Sequence, residues 1–198
     1  MKKRIIAAAA ASMLLLSSVM GFTASAGETE AAATEPAIEW DDTVLQAFVD
    51  DGYAGTIFTI DKLGLQLLVP EGLEQRQPTD EEKEKDTILV FENDDQSQKI
   101  EFVLGQIGDC KTLEDVQAFM AESFPDMTVT PTRINEYDTL VYGNEEADSM
   151  AVLIGAGDAG FLRIILHPVT DPTMNKLYSY VAASIQEIKA DETEQQTE

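Results

Sequence analysis

The spacing of apolar residues along the chain changes from every third or fourth position to every second and back again, and each change marks an element. Trp40, Val44, Leu45, Phe48 and Val49 recur at helical spacing, with Asp41 or Asp42 able to cap the start and Gly52 placed where helices end. Residues 56–60 and 65–69 are β-rich and read as a hairpin closed by 61–64, and Pro70-Glu71-Gly72 ends the second strand. The charged stretch 79–85 opens with a Thr79-x-x-Glu82 capping box and predicts a short exposed helical segment. A second hairpin spans 87–91 and 99–107 across the polar turn 92–98.

Thr112-Leu113-Glu114-Asp115 is the clearest helix start, because Thr112 can cap and the acids suit the positive helix end; Leu113, Val116, Phe119 and Met120 form its apolar stripe. Strands over 127–134 and 139–142 flank the turn 135–138, and a third hairpin joins 150–154 to 161–166. Asp171-Pro172 opens a last helix, with Met174, Leu177, Tyr178, Val181, Ile185 and Ile188 along one face. If Gly157-Asp158 is the turn of the third hairpin, Val152 faces Arg163 and Met150 faces Ile165 on one side, while Ala151, Leu153, Leu162, Ile164 and Leu166 fill the other. Both faces are then largely apolar, so a layer is needed on each. The expected class is α+β, an antiparallel sheet of about six to eight strands sandwiched between helices in three layers.

Three short segments fit this order of elements: the turn Val69-Pro70-Glu71-Gly72, the helix start Thr112-Leu113-Glu114-Asp115, and Ala183-Ser184-Ile185 at the end of the last helix. Together with the hairpins between them they resemble the PsbP-like family, whose α/β/α sandwich is shared by the extrinsic photosystem subunit, a Ran-binding nuclear import factor and many small exported bacterial proteins. The resemblance covers residues 56–188. It implies the three-layer fold and a mainly noncatalytic binding or assembly role, and it transfers no binding residue to a numbered position here.

The termini carry address information. Met1-Lys2-Lys3-Arg4 precedes an apolar run to Phe22 and the small-x-small segment Ala24-Ser25-Ala26, which reads as a signal peptide over 1–26, removed to leave a secreted or extracytoplasmic protein without a membrane anchor. Residues 27–37 read as a disordered acidic linker, 38–189 as one domain, and 190–198 as a disordered acidic tail. With 37 acids against 13 bases and a formal net charge of −24, the surface repels nucleic acid and other polyanions and attracts cations and basic proteins. Nucleic-acid binding is therefore excluded first. Cys110 is the single cysteine, so no internal disulfide can form, and a partly buried, inert thiol is expected.

Candidate chemistry is sparse. Gly155-Ala156-Gly157-Asp158-Ala159-Gly160 spells the dinucleotide fingerprint after a strand, yet a strand instead of a helix follows it, so the glycines are read as hairpin-loop residues and no cofactor is expected. His167 is the single histidine, no nucleophile signature accompanies Cys110, and no metal-ligand spacing is present; Glu92, Asp94 and Asp95 lack the calcium-loop pattern. Arg163 stands out, because it falls among apolar residues of a strand with His167 on the same face, and a guanidinium there must find a carboxylate or keep its head in water. Arg163 and His167 are the candidate ligand-binding residues. Three functions follow in order: a noncatalytic exported domain that binds a basic protein or an envelope component, a small-molecule or cation-binding domain, and a hydrolase with an unrecognised site. Oligomeric state stays open.

Overall fold

The computed structural model describes residues 36–188, so the expected leader, the first nine linker residues (27–35) and the expected tail lie outside the described residues. In chain order the elements are β1 (Ala37–Ile38), α1 (Asp42–Asp50), β2 (Gly55–Ile60), β3 (Leu65–Pro70), β4 (Glu74–Arg76), α2 (Asp80–Lys83), β5 (Thr87–Glu92), β6 (Lys99–Gly105), α3 (Leu113–Ser123), β7 (Val129–Ile134), β8 (Tyr137–Asn144), β9 (Ser149–Gly155), β10 (Phe161–His167), α4 (Pro172–Ala183) and β11 (Gln186–Glu187). The expected caps form. Asp41 accepts from Thr43 and Val44, Thr79 and Glu82 make one capping box, Thr112 and Asp115 make a second, and Asp171 caps α4 ahead of Pro172. Ala37, the last residue of the expected linker, pairs with Arg133 in a parallel β1–β7 contact.

An eight-stranded sheet runs β1-β7-β8-β9-β10-β6-β5-β4, antiparallel throughout except at β1–β7. The α+β class and the strand count expected for the main sheet hold. One difference is that the first hairpin leaves this sheet: β2 and β3 pair with β11 in a separate three-stranded sheet. The sequence of β3 explains why. Leu65, Leu67 and Val69 point one way and Leu68 the other, so β3 must be covered on both faces. Its inner face packs with Tyr178, Val181 and Ala182 of α4 onto Ile100, Phe102, Val152, Ile164 and Leu166 of the large sheet. Its outer face meets Val44 and Phe48 of α1, together with Leu177 and Tyr180. Thus α1 covers the small sheet, not the large one. On the opposite face of the large sheet lies α3, where Val116 and Met120 pack on Leu140, Leu153, Phe161 and Cys110.

Two side chains tie these layers together. Ser184 Oγ accepts the Leu68 N–H at 2.8 Å and donates to Val181 O at 2.7 Å, which fastens the end of α4 to β3. Asn135, in the left-handed region at φ 50°, accepts from Trp40 N–H and donates to Ala183 O and Ile185 O. The Ala183-Ser184-Ile185 segment is therefore a junction at which α4, β1 and the small sheet meet.

The third hairpin differs from expectation by one residue. Its connection holds a 3₁₀ turn, Gly157–Ala159, so Arg163 pairs with Leu153 and Ile164 with Val152. A one-residue slip exchanges faces across the pair. The expected Val152–Arg163 and Met150–Ile165 pairs are replaced by Leu153–Arg163 and Ala151–Ile165.

Candidate functional site

Side chains alternate along β10, so Phe161, Arg163, Ile165 and His167 face the α3 side while Leu162, Ile164 and Leu166 enter the main core. The cross-strand register puts Val103, Glu101 and Lys99 of β6 and Leu153 and Ala151 of β9 on that same side, followed by Leu140 and Tyr142 of β8. This face has two halves. Under α3, Phe161, Leu153 and Leu140 are buried. Beyond it, Tyr142, Arg163, Ile165, Glu101, Lys99 and His167 are each only half-buried.

In the uncovered half, Tyr142 and Arg163 come from strands separated by β9, whose residue opposite both Tyr142 and Ile165 is the small Ala151. The Arg163 guanidinium lies near the Tyr142 hydroxyl; burial pushes that hydroxyl's pKa up, and the neighbouring guanidinium offsets part of the rise. Among the described residues no carboxylate lies within ion-pairing distance of Arg163. Glu101, diagonal to it on β6, is engaged elsewhere: Thr87 Oγ1 donates to one oxygen at 2.5 Å and Lys99 Nζ meets the other at 2.9 Å. The guanidinium has five N–H donors, so most remain for water or a ligand.

His167 does not join Arg163. Ile165 stands between them, and four residues of extended strand separate their backbones by about 13 Å. The His167 ring fastens a turn instead. Its Nδ1 lies 3.0 Å from Asp148 O and 3.2 Å from Ala147 O, and two carbonyl neighbours require that this nitrogen carry the proton. Asp148 in turn accepts from Val169 and Thr170, and His167 O accepts from the Tyr178 hydroxyl at 2.8 Å.

The other candidates have visible local roles. Gly160 has φ 95°, and a Cβ there would stand 2.5 Å from Gly105 O, so the last glycine of the fingerprint serves close strand packing, and β10 begins where a pyrophosphate would need a helix. Cys110 is buried beside Val116 and Met120, at the Phe161 end of β10 and roughly 20 Å of strand from His167. Glu92 pairs with Arg76 at 2.6 Å, and Asp95 accepts from Ser97. Among the described residues no group of three or more His, Cys, Asp or Glu is placed to hold a metal, and no helix is long and apolar enough to cross a membrane. Tyr142 is the residue that sequence reasoning missed; its only signal, a shared parity with Leu140 in β8, acquires meaning once the β8–β9–β10 register is known.

No protein-family model matches this chain, and no curated protein matches it. The PsbP-like resemblance read from the order of elements has a counterpart among solved structures. The chain is similar to the solution structure of cyanobacterial PsbP (CyanoP) from Synechocystis sp. PCC 6803, with 18% identity and a TM-score of 0.46 over 67% of this chain and 91% of that one, a likeness of fold alone.

Proposed function

We propose that this protein is an exported, noncatalytic binding domain for a protein or cell-envelope component, and that its recognition surface is the uncovered half of the α3 face, centred on Arg163 and Tyr142. One observation carries the reading: in a chain with 37 acids and 13 bases, a half-buried guanidinium beside a tyrosine hydroxyl has no carboxylate within ion-pairing distance among the described residues. A cation kept in that setting suits a carboxylate brought by a binding partner, because a planar, charge-assisted fork recognises such a group best. The basic leader at 1–26 supports export.

The test is affinity capture from envelope and secreted fractions of the source organism, at low and high salt, with the wild type and Arg163→Leu. A defined partner held by the wild type should be lost by the variant on the order of tenfold or more, with the melting temperature unchanged. Equal capture by both would sink the reading. The spare donors of Arg163 favour one alternative, a small carboxylate ligand, which would instead raise the melting temperature of the wild type by mass action and leave Arg163→Leu unmoved.

A further inference from the structure

Glu101 stands within reach of Arg163, yet the two do not pair. They are diagonal neighbours, because Arg163 is opposite Val103 and Ile165 is opposite Glu101, and long side chains meet across such a diagonal. Both carboxylate oxygens of Glu101 are taken instead: Thr87 Oγ1 donates to Oε1 at 2.5 Å, and Lys99 Nζ lies 2.9 Å from Oε2. Arg163 and Lys99 thus share one carboxylate, and one of the two cations is left over whichever way Glu101 turns.

The shape of β5 favours one of these outcomes. Val90 is opposite Glu101 and Leu89 is opposite Phe102, so an unbroken register would set Ile88 opposite Val103. A bulge intervenes, and Thr87 takes that place. Burial is inverted as a result, with Thr87 4% exposed and Ile88 42% exposed. Leaving an isoleucine in water to bury a threonine forgoes apolar burial. What the bulge delivers is a hydroxyl diagonal to Glu101, on the face that carries Arg163. Lys99 reaches the same carboxylate from two residues back on β6, where side chains share a face.

We infer that Thr87 and Lys99 are positioning residues that clamp Glu101 and so keep the Arg163 guanidinium unpaired. The clamp decides which cation is spare. The ammonium of Lys99 is neutralised and the planar fork of Arg163 is left, the group that takes a carboxylate through two parallel hydrogen bonds. Without the clamp, Glu101 turns to Arg163 and closes the site from within. The use of the spare fork rests on the recognition role proposed above for Arg163, whereas the clamp is tested without any partner.

The experiment treats the full chain with phenylglyoxal, an arginine-directed dicarbonyl, and follows the modification rate of each arginine by peptide mass spectrometry. In the wild type Arg163 should react, with Arg76, held by Glu82 and Glu92, as the protected reference and the exposed Arg133 as the open one. Lys99→Met and, separately, Thr87→Val should each slow Arg163 on the order of tenfold, since each removes one of the two bonds that hold Glu101. Arg76 and Arg133 should keep their rates, and either variant suffices if the other misfolds. Adding Glu101→Gln to Lys99→Met should restore the wild-type rate at Arg163, which a merely structural loss would not do. Three results would overturn the inference: an Arg163 as protected as Arg76 in the wild type, an unchanged rate at Arg163 in the variants, or a slowing that Glu101→Gln does not reverse. A wild type that shows the expected labelling but captures no partner would instead fail the recognition reading and leave the clamp standing.

Discussion

The α3 face of the large sheet is one surface with two chemistries. Under α3 it is apolar and closed, with Val116 and Leu153 fully buried and Phe161 nearly so. A few residues along the same strands it carries the half-buried Tyr142, Arg163, Glu101 and Lys99. Two of the arginines on this face sharpen the contrast. Arg76 is saturated: Nη1 and Nη2 donate to the two oxygens of Glu82, and Glu92 is 2.6 Å from Nε. Arg163 lies near a hydroxyl and, among the described residues, has no carboxylate within ion-pairing distance. A saturated arginine is a structural rivet, whereas an unsaturated one on an open face has capacity left for something outside the chain.

The comparison can be broken in descending order of effect. Phe161→Ala, in the closed half, should destabilise by about 3–5 kcal/mol in a chemical denaturation curve, since it leaves a cavity against α3; a cost under about 1 kcal/mol would mean that α3 does not seal this half. Arg76→Met should cost about 1–2 kcal/mol at neutral pH, the pair being only partly buried. This loss should also depend on pH. Arg76 holds the Glu82 carboxyl at about 2, below its ordinary 4.5, so the contribution is complete above 4.5 and fades as pH falls toward 2, where the unfolded chain takes up the proton first. Denaturation midpoints of wild type and variant should therefore converge as the solution is acidified through that window.

Smaller effects are expected in the open half. His167→Ala removes the donor that holds the turn before β9 and should cost about 1 kcal/mol, seen as faster hydrogen exchange across residues 145–148 with partner binding retained. Loss of binding with the turn intact would return His167 to the recognition surface. Arg163→Leu should change stability by less than about 0.5 kcal/mol while abolishing capture of the partner. A large destabilisation there would show Arg163 to be another rivet.

Much of this molecule was legible from local rules. The caps at Asp41, Thr79, Thr112 and Asp171 and the hairpin strands depend on residues within a few positions of one another, and they form where spacing and side-chain chemistry place them; the expected stripes hold in part, since Leu45 and Val49 of α1 are exposed and α4 ends at Ala183, before Ile185 and Ile188. The glycine run before β10 was likewise readable as a loop, because the missing helix start is a local feature. What tertiary structure alone decided is which strands become neighbours and in what register. The 3₁₀ turn at Gly157–Ala159 moved the β9–β10 pairing by one residue and so changed the neighbours of Arg163. The pairing of β3 with β11, across more than a hundred residues, took the first hairpin out of the large sheet. The meeting of Tyr142 with Arg163 across β9 has the same origin. Such partners are selected by the burial of whole faces, a property of the assembled layers that no short window of sequence contains.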